Sequence, residues 1–117
     1  GVTRTTRFEG AFIGGPASSV PPGGAPDGKG WTMFEPGWDV LVEGGRVTTL
    51  RFTSNVLGDL MLFDRADMVA KLGQPDGCKP MTSGATTMEL CLYTKTGAAF
   101  FIDPADKSLR LRVISEP

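Results

Sequence analysis

The chain has no histidine. That removes Ser-His and Cys-His nucleophile pairs and every imidazole metal ligand at once. Its two cysteines, Cys78 and Cys91, are too few for a usual zinc site without histidine, so no metal or other cofactor is expected. Neither sign of charge is in excess. With 12 basic and 13 acidic side chains and a net charge of -1, there is no electrostatic footprint for nucleic acid or an anionic bilayer. Long apolar runs are missing too. Leu60–Phe63 and Ala98–Ile102 fall far short of the ~20 residues that span a bilayer, so no membrane span is expected.

What the chain has in plenty is turn chemistry, with Gly 16 and Pro 9 among 117 residues. At 40% hydrophobic and 21% charged it reads as a single globular domain over residues 1–117, with many turns and few helices. Two hairpins stand out. Gly37–Glu43 runs through Gly44-Gly45 into Arg46–Phe52, and Gly97–Asp103 runs through Pro104-Ala105-Asp106 into Leu109–Ile114. Ile13-Gly14-Gly15-Pro16 precedes the first hairpin much as Leu72-Gly73-Gln74-Pro75 precedes the second, at an offset of 59 to 60 residues. This reads as an internal duplication with diverged half-repeats over about 5–53 and 63–115, the alternative being two unrelated hairpins.

One helix is clearly punctuated. Asp64 is placed as its N-cap, Asp67 at the third helical position, Phe63 and Met68 as a hydrophobic staple, and Gly73 with Pro75 as its stop. Met68, Val69 and Leu72 would form its apolar stripe. Thr3–Ile13 reads as extended, strands are expected near 86–94, 98–103 and 108–115, and Gly14–Gly30 reads as an exposed Gly/Pro-rich loop. The expected fold class is α+β, a mostly antiparallel sheet of about five to six strands with one short helix.

Signals for chemistry are sparse. Gly23–Gly30 approaches a phosphate-cradling loop but carries Gly30 where the hydroxyl belongs, and no helix pattern follows it. Glu35, Asp39 and Glu43 near the first hairpin, and Asp64 with Asp67, could pair as catalytic carboxylates; solvated strand faces and a helix cap are the plainer account. The aromatic cluster Trp31, Phe34 and Trp38 is the better lead, because tryptophan concentrates at interface hot spots. Trp38 is expected in the core. Trp31 and Phe34, with the loop around Val20–Lys29 and the turn Gly44-Gly45, are expected to touch a partner. The spacing of Cys78 and Cys91 fits a bridge or two buried thiols equally well.

Asp64–Pro75, then Cys78, then Leu90-Cys91-Leu92-Tyr93 and the closing hairpin resemble the BamE-like and β-lactamase-inhibitor-protein-like group over about residues 63–115. Members place a short helix ending in Leu-Gly-x-Pro before an antiparallel meander, and the inhibitor proteins carry two tandem copies. The usual leading helix of the group is absent here or reduced to Thr53–Leu62. The resemblance implies a disulfide between Cys78 and Cys91, an exported protein (periplasmic or secreted), and action through a sheet face or loops on a protein partner. The expected function is therefore non-catalytic protein binding, as inhibitors or assembly factors do. The alternatives are a cytoplasmic immunity-type protein that neutralises a toxin, a small carboxylate-based enzyme, and a structural module of a longer polypeptide.

Overall fold

The computed structural model describes residues 7–116. Alternating apolar segments separated by glycine turns fold into β1 (Arg7–Phe8), β2 (Ala11–Phe12), β3 (Ala25–Pro26), β4 (Trp31–Phe34), β5 (Trp38–Glu43) and β6 (Arg46–Thr53). Two helices follow, α1 (Ser54–Asp59) and α2 (Arg65–Leu72), and then β7 (Gly77–Ser83), β8 (Thr86–Tyr93), β9 (Ala98–Ile102) and β10 (Leu109–Ser115). β1 and β2 form a small ribbon, and the remaining strands make one antiparallel sheet in the order β3-β4-β5-β6-β10-β9-β8-β7. Each half of the sheet is a four-stranded meander, and the last strands of the two halves meet at the centre, with Leu111 opposite Thr53 and Ser115 opposite Thr49. Of the extended segment expected over Thr3–Ile13, residues 3–6 lie outside the described residues.

The expected α+β class with five to six strands and one helix is overturned. The described chain is mostly β, with ten strands and two short helices. The undercount has a physical cause at each place. Every residue of β7 is exposed, so no apolar alternation marks it, and pairing with β8 holds it instead. β3 is a two-residue strand inside the Gly/Pro-rich loop. α1 contains Ser54, Asn55 and Gly58, which are poor helix formers, and is held by tertiary burial of Val56 and Leu57.

Pleating divides the sheet's side chains between two faces. One carries Trp38, Val40, Leu50, Phe52, Phe100 and Ile114 into the core, which Val56, Leu57 and Met68 of the helices close. The register shift between Leu41 and Val42 accompanies burial of both Val47 and Thr48 opposite. On the other face Met88, Leu92, Phe101, Leu111 and Val113 are half-buried. Leu90 is 6% exposed there, outside the main core cluster. The β8–β10 region is thus apolar on both sides.

The cap and the glycine stop of α2 are as the sequence indicates. Asp64 Oδ1 accepts from the Asp67 N–H at 2.9 Å while Asp67 Oδ2 accepts from the Asp64 N–H at 3.3 Å, a reciprocal capping box. Gly73 closes α2 at φ 82°, donating its N–H to the Val69 carbonyl at 2.8 Å. The expected apolar stripe is narrower than Met68, Val69 and Leu72: Met68 is fully buried, but Leu72 is 38% exposed. Phe63, expected as a staple, is 55% exposed. Lys71 donates to the carbonyls of Leu60 and Met61, tying the end of α2 to the end of α1.

Both edges of the sheet are blunted. Cys78 and Cys91 lie directly opposite with Cα atoms 4.1 Å apart, the close spacing of a non-hydrogen-bonded antiparallel pair. Two residues on, Pro80 faces Glu89 in a pair of the same kind, so its nitrogen points to the free edge, where an N–H would otherwise invite another strand. At the opposite edge β3 is short and ends on Pro26.

Candidate functional site

An open cleft of about 550 Å³ forms where the ribbon, the loop, the β4–β5 turn and α1 converge. Phe8, Phe34 and Trp38 supply aromatic lining, Pro21, Pro22 and Pro36 rigid walls, and Val56 and Leu60 the helical side. The aromatic rings are locked together. Phe34 stacks on Trp38 at 4.3 Å and 13°, and Phe8 meets Trp38 edge-on at 5.0 Å.

Three carboxylates, Glu9, Glu35 and Asp59, also line the cleft, and no basic residue does. Local structure fixes two of them. Glu9 and Gly10, at φ 52° and 94°, form the two-residue turn between Phe8 and Ala11. Glu35 precedes a cis peptide to Pro36, in a turn pinned from β6 and α1. The Gly37 carbonyl accepts from the Thr53 N–H at 2.9 Å and from Thr53 Oγ1 at 2.7 Å, while the Pro36 carbonyl accepts from Asn55 Nδ2 at 3.2 Å. A Cβ at Gly37 would collide with Thr53 Oγ1, so only glycine fits that turn.

The structure separates the residues expected to form one contact surface. Trp31 and Phe34 stand three apart on β4 and face opposite sides of the sheet. Phe34 enters the cleft, whereas Trp31 is half-buried beneath the Arg51 guanidinium, 3.7 Å from its ring centre, on the other face. Arg51 is held there by Asp39 at 2.8 Å. Trp38 is buried, as expected, at 3% exposure. Gly44 and Gly45 are exposed at the far end of the β5–β6 hairpin, where φ values of 60° and 77° explain why both are glycine. Gly45 also accepts from the Ala17 N–H at 2.9 Å, and Gly14 and Gly15 bond both sides of Val47. The start of the Gly14–Gly30 loop is therefore fastened along β6.

The candidate catalytic carboxylates scatter. Asp39 pairs with Arg51, Glu43 accepts from Thr48 Oγ1 at 2.9 Å, and Asp64 with Asp67 caps α2. Only Glu35 reaches the cleft. Nor does Gly23–Gly30 offer a phosphate cradle. Asp27 Oδ1 accepts from the Lys29 N–H at 2.7 Å and from the Trp31 N–H at 3.2 Å, and a strand rather than a helix follows.

A disulfide joins Cys78 to Cys91 across β7 and β8. Arg65, the first residue of α2, reaches over it, 3.3 Å from Glu89 Oε1 and 3.7 Å from Cys78 Sγ. Among the described residues, Cys78, Glu89 and Cys91 are the one trio whose ligand atoms lie within 4.8 Å of one another, and both sulfurs are spent in the disulfide. Just before β7, Asp76 accepts from the Thr94 N–H at 2.6 Å and from Thr94 Oγ1 at 2.8 Å, which holds its carboxyl below the ordinary carboxylate range. Pro21 and Pro22, within the loop expected to touch a partner, do line the cleft, whereas Glu9 and Asp59 escaped sequence reading. The one available signal was Phe8-Glu9-Gly10, an aromatic followed by a turn pair.

Fold and site together define a class: an open antiparallel sheet with a helix pair on one face and a cleft where loop, ribbon and helix meet. No protein-family profile matches this chain, and no curated protein sequence does. Among solved structures it is similar to a DUF4309 family protein (YjgB) from Bacillus subtilis subsp. subtilis str. 168, with a TM-score of 0.55 and 12% identity, covering 85% of this chain and 72% of that one. At that identity the likeness concerns the fold alone.

Proposed function

We propose that this domain is a non-catalytic protein-binding module of an exported or envelope-associated protein, and that the cleft is where its partner docks. The carrying observation is the cleft itself, a concavity of about 550 Å³ walled by prolines and interlocked aromatic rings. Such walls have little conformational freedom to lose on binding, so apolar contact there converts efficiently into affinity. The resemblance of residues 63–115 to inhibitor and assembly-factor domains supports a binding role. Disulfides form and persist mainly in oxidising compartments, so the Cys78–Cys91 bridge supports a periplasmic or secreted setting over the cytoplasmic immunity-type alternative.

One observation favours the carboxylate enzyme as a second reading: three acids share the cleft with no basic neighbour. All three are exposed, however, and no three ligand oxygens of acidic residues gather within 4.8 Å among the described residues. Open to water, the cleft gives these acids little of the shielding that acid-base catalysis draws on, which favours the binding reading.

The test is capture of a partner from the native exported fraction by the parent, by Phe34→Ala and by Trp31→Ala, with folding checked by circular dichroism. Loss of an aromatic anchor should weaken capture by about tenfold or more for Phe34→Ala. Trp31→Ala, altered on the opposite face, should capture as the parent does. The reverse pattern, with both variants folded, would move the interface to the other face and refute the cleft.

A further inference from the structure

We infer that the cleft receives a basic side chain, arginine or lysine, from the partner polypeptide, its cation held by Glu9, Glu35 and Asp59 and its aliphatic stem laid against Phe8 and Phe34. This rests on the protein-binding reading and adds the chemistry that the cleft selects. Three of the side chains lining the cleft are anionic and none is cationic, although the chain as a whole is close to neutral at -1. The imbalance is thus local to the concavity.

The aromatic lining points the same way. At three aromatic rings outside the cleft the chain lays its own guanidinium group: Arg7 lies 4.0 Å from the centre of Phe12, Arg51 3.7 Å from Trp31, and Arg112 5.2 Å from Phe100. Among the described residues, no cation covers Phe8 or Phe34. A cation placed there gains the ring quadrupole and the carboxylates together. An anion would meet three negative charges, and a purely apolar group would leave those acids facing it without return.

The turn sets where Glu9 stands. It occupies left-handed backbone at φ 52° in a turn where asparagine or glycine is the favoured residue.

The two tryptophans give a built-in readout, because Trp38 lines the cleft and Trp31 lies on the opposite face. The probe is acetyl-Gly-Arg-Gly-amide, with a lysine version, titrated into nitrogen-15-labelled protein while the two indole N–H resonances are followed. Trp31→Phe assigns them. The citrulline and acetyl-lysine peptides are the neutral controls. The Trp38 resonance should move saturably at about millimolar peptide, the Trp31 resonance should stay, and the neutral peptides should leave both in place. Glu9→Asn combined with Glu35→Gln and Asp59→Asn should weaken binding about tenfold, and raised salt should shrink that difference. Glu9→Asn relieves the strained turn, so it keeps the fold as the charge is removed.

Equal movement of Trp38 by the citrulline peptide would overturn the inference, and so would no movement at tens of millimolar peptide. In either case, partner capture that still depends on Phe34 would leave the protein-binding reading standing. Capture indifferent to Phe34 would remove both.

Discussion

Arg112 carries a charge into the interior. It sits on the core face of β10 between Phe52 and Phe100, and burial pushes its pKa down. Its Nε finds no hydrogen-bond partner, and among the described residues no carboxylate pairs with it. The Phe100 ring offsets only part of that desolvation. Arg112→Met keeps the stem and drops the charge, and thermal unfolding should show it neutral to more stable by about 1–4 kcal/mol. A clear loss of stability would mean that the guanidinium has a partner worth more than its burial costs. Asp76 gives a pH test. Its folded carboxyl binds a proton less readily than in the unfolded chain. It therefore stabilises above the unfolded value near ~3.9, and that contribution is lost as pH falls through the lower folded value. Urea titration should find Asp76→Asn less stable than the parent at neutral pH, with the difference closing toward pH ~2.

At the scale of elements, the strand most dependent on one bond is β7, in which no residue is buried. The bridge closing 13 residues of sequence separation should contribute about 2–4 kcal/mol. Cys78→Ser with Cys91→Ser should lower stability by that amount and speed amide exchange in β7, while β5 and β6 keep their protection. Uniform loss across the sheet would show that the bridge holds more than its edge. α2 depends on its cap, and Asp64→Ala should cost about 1 kcal/mol in chemical denaturation.

These elements also mark how far the sequence could be read. The α2 box, the Gly44-Gly45 hairpin and β8–β10 were legible because each carries local chemistry: a reciprocal cap, a positive-φ glycine pair, apolar alternation. β7, β3 and α1 were not, because pairing partners and tertiary burial hold them against weak local preference. The aromatic cluster was visible as composition, yet its split between two faces follows from strand alternation along β4 and became plain only once its register with β5 was fixed. The acids of the cleft come from three separate segments that only the fold brings together.

At the scale of the molecule, the two meanders join through β6 and β10, the helices cover one side of the sheet, and the proline-blunted edges discourage strand addition. The proposed docking site is the cleft, and its rival is the uncovered side bearing Trp31 and Met33. They can be set against each other directly by placing a photoreactive benzophenone side chain at Pro22, on the cleft wall, or at Met33, 46% exposed on the opposite side, and irradiating each variant in its native compartment. A discrete protein adduct from position 22 and none from position 33 is the predicted result. An adduct from position 33 alone would contradict the cleft as the docking site.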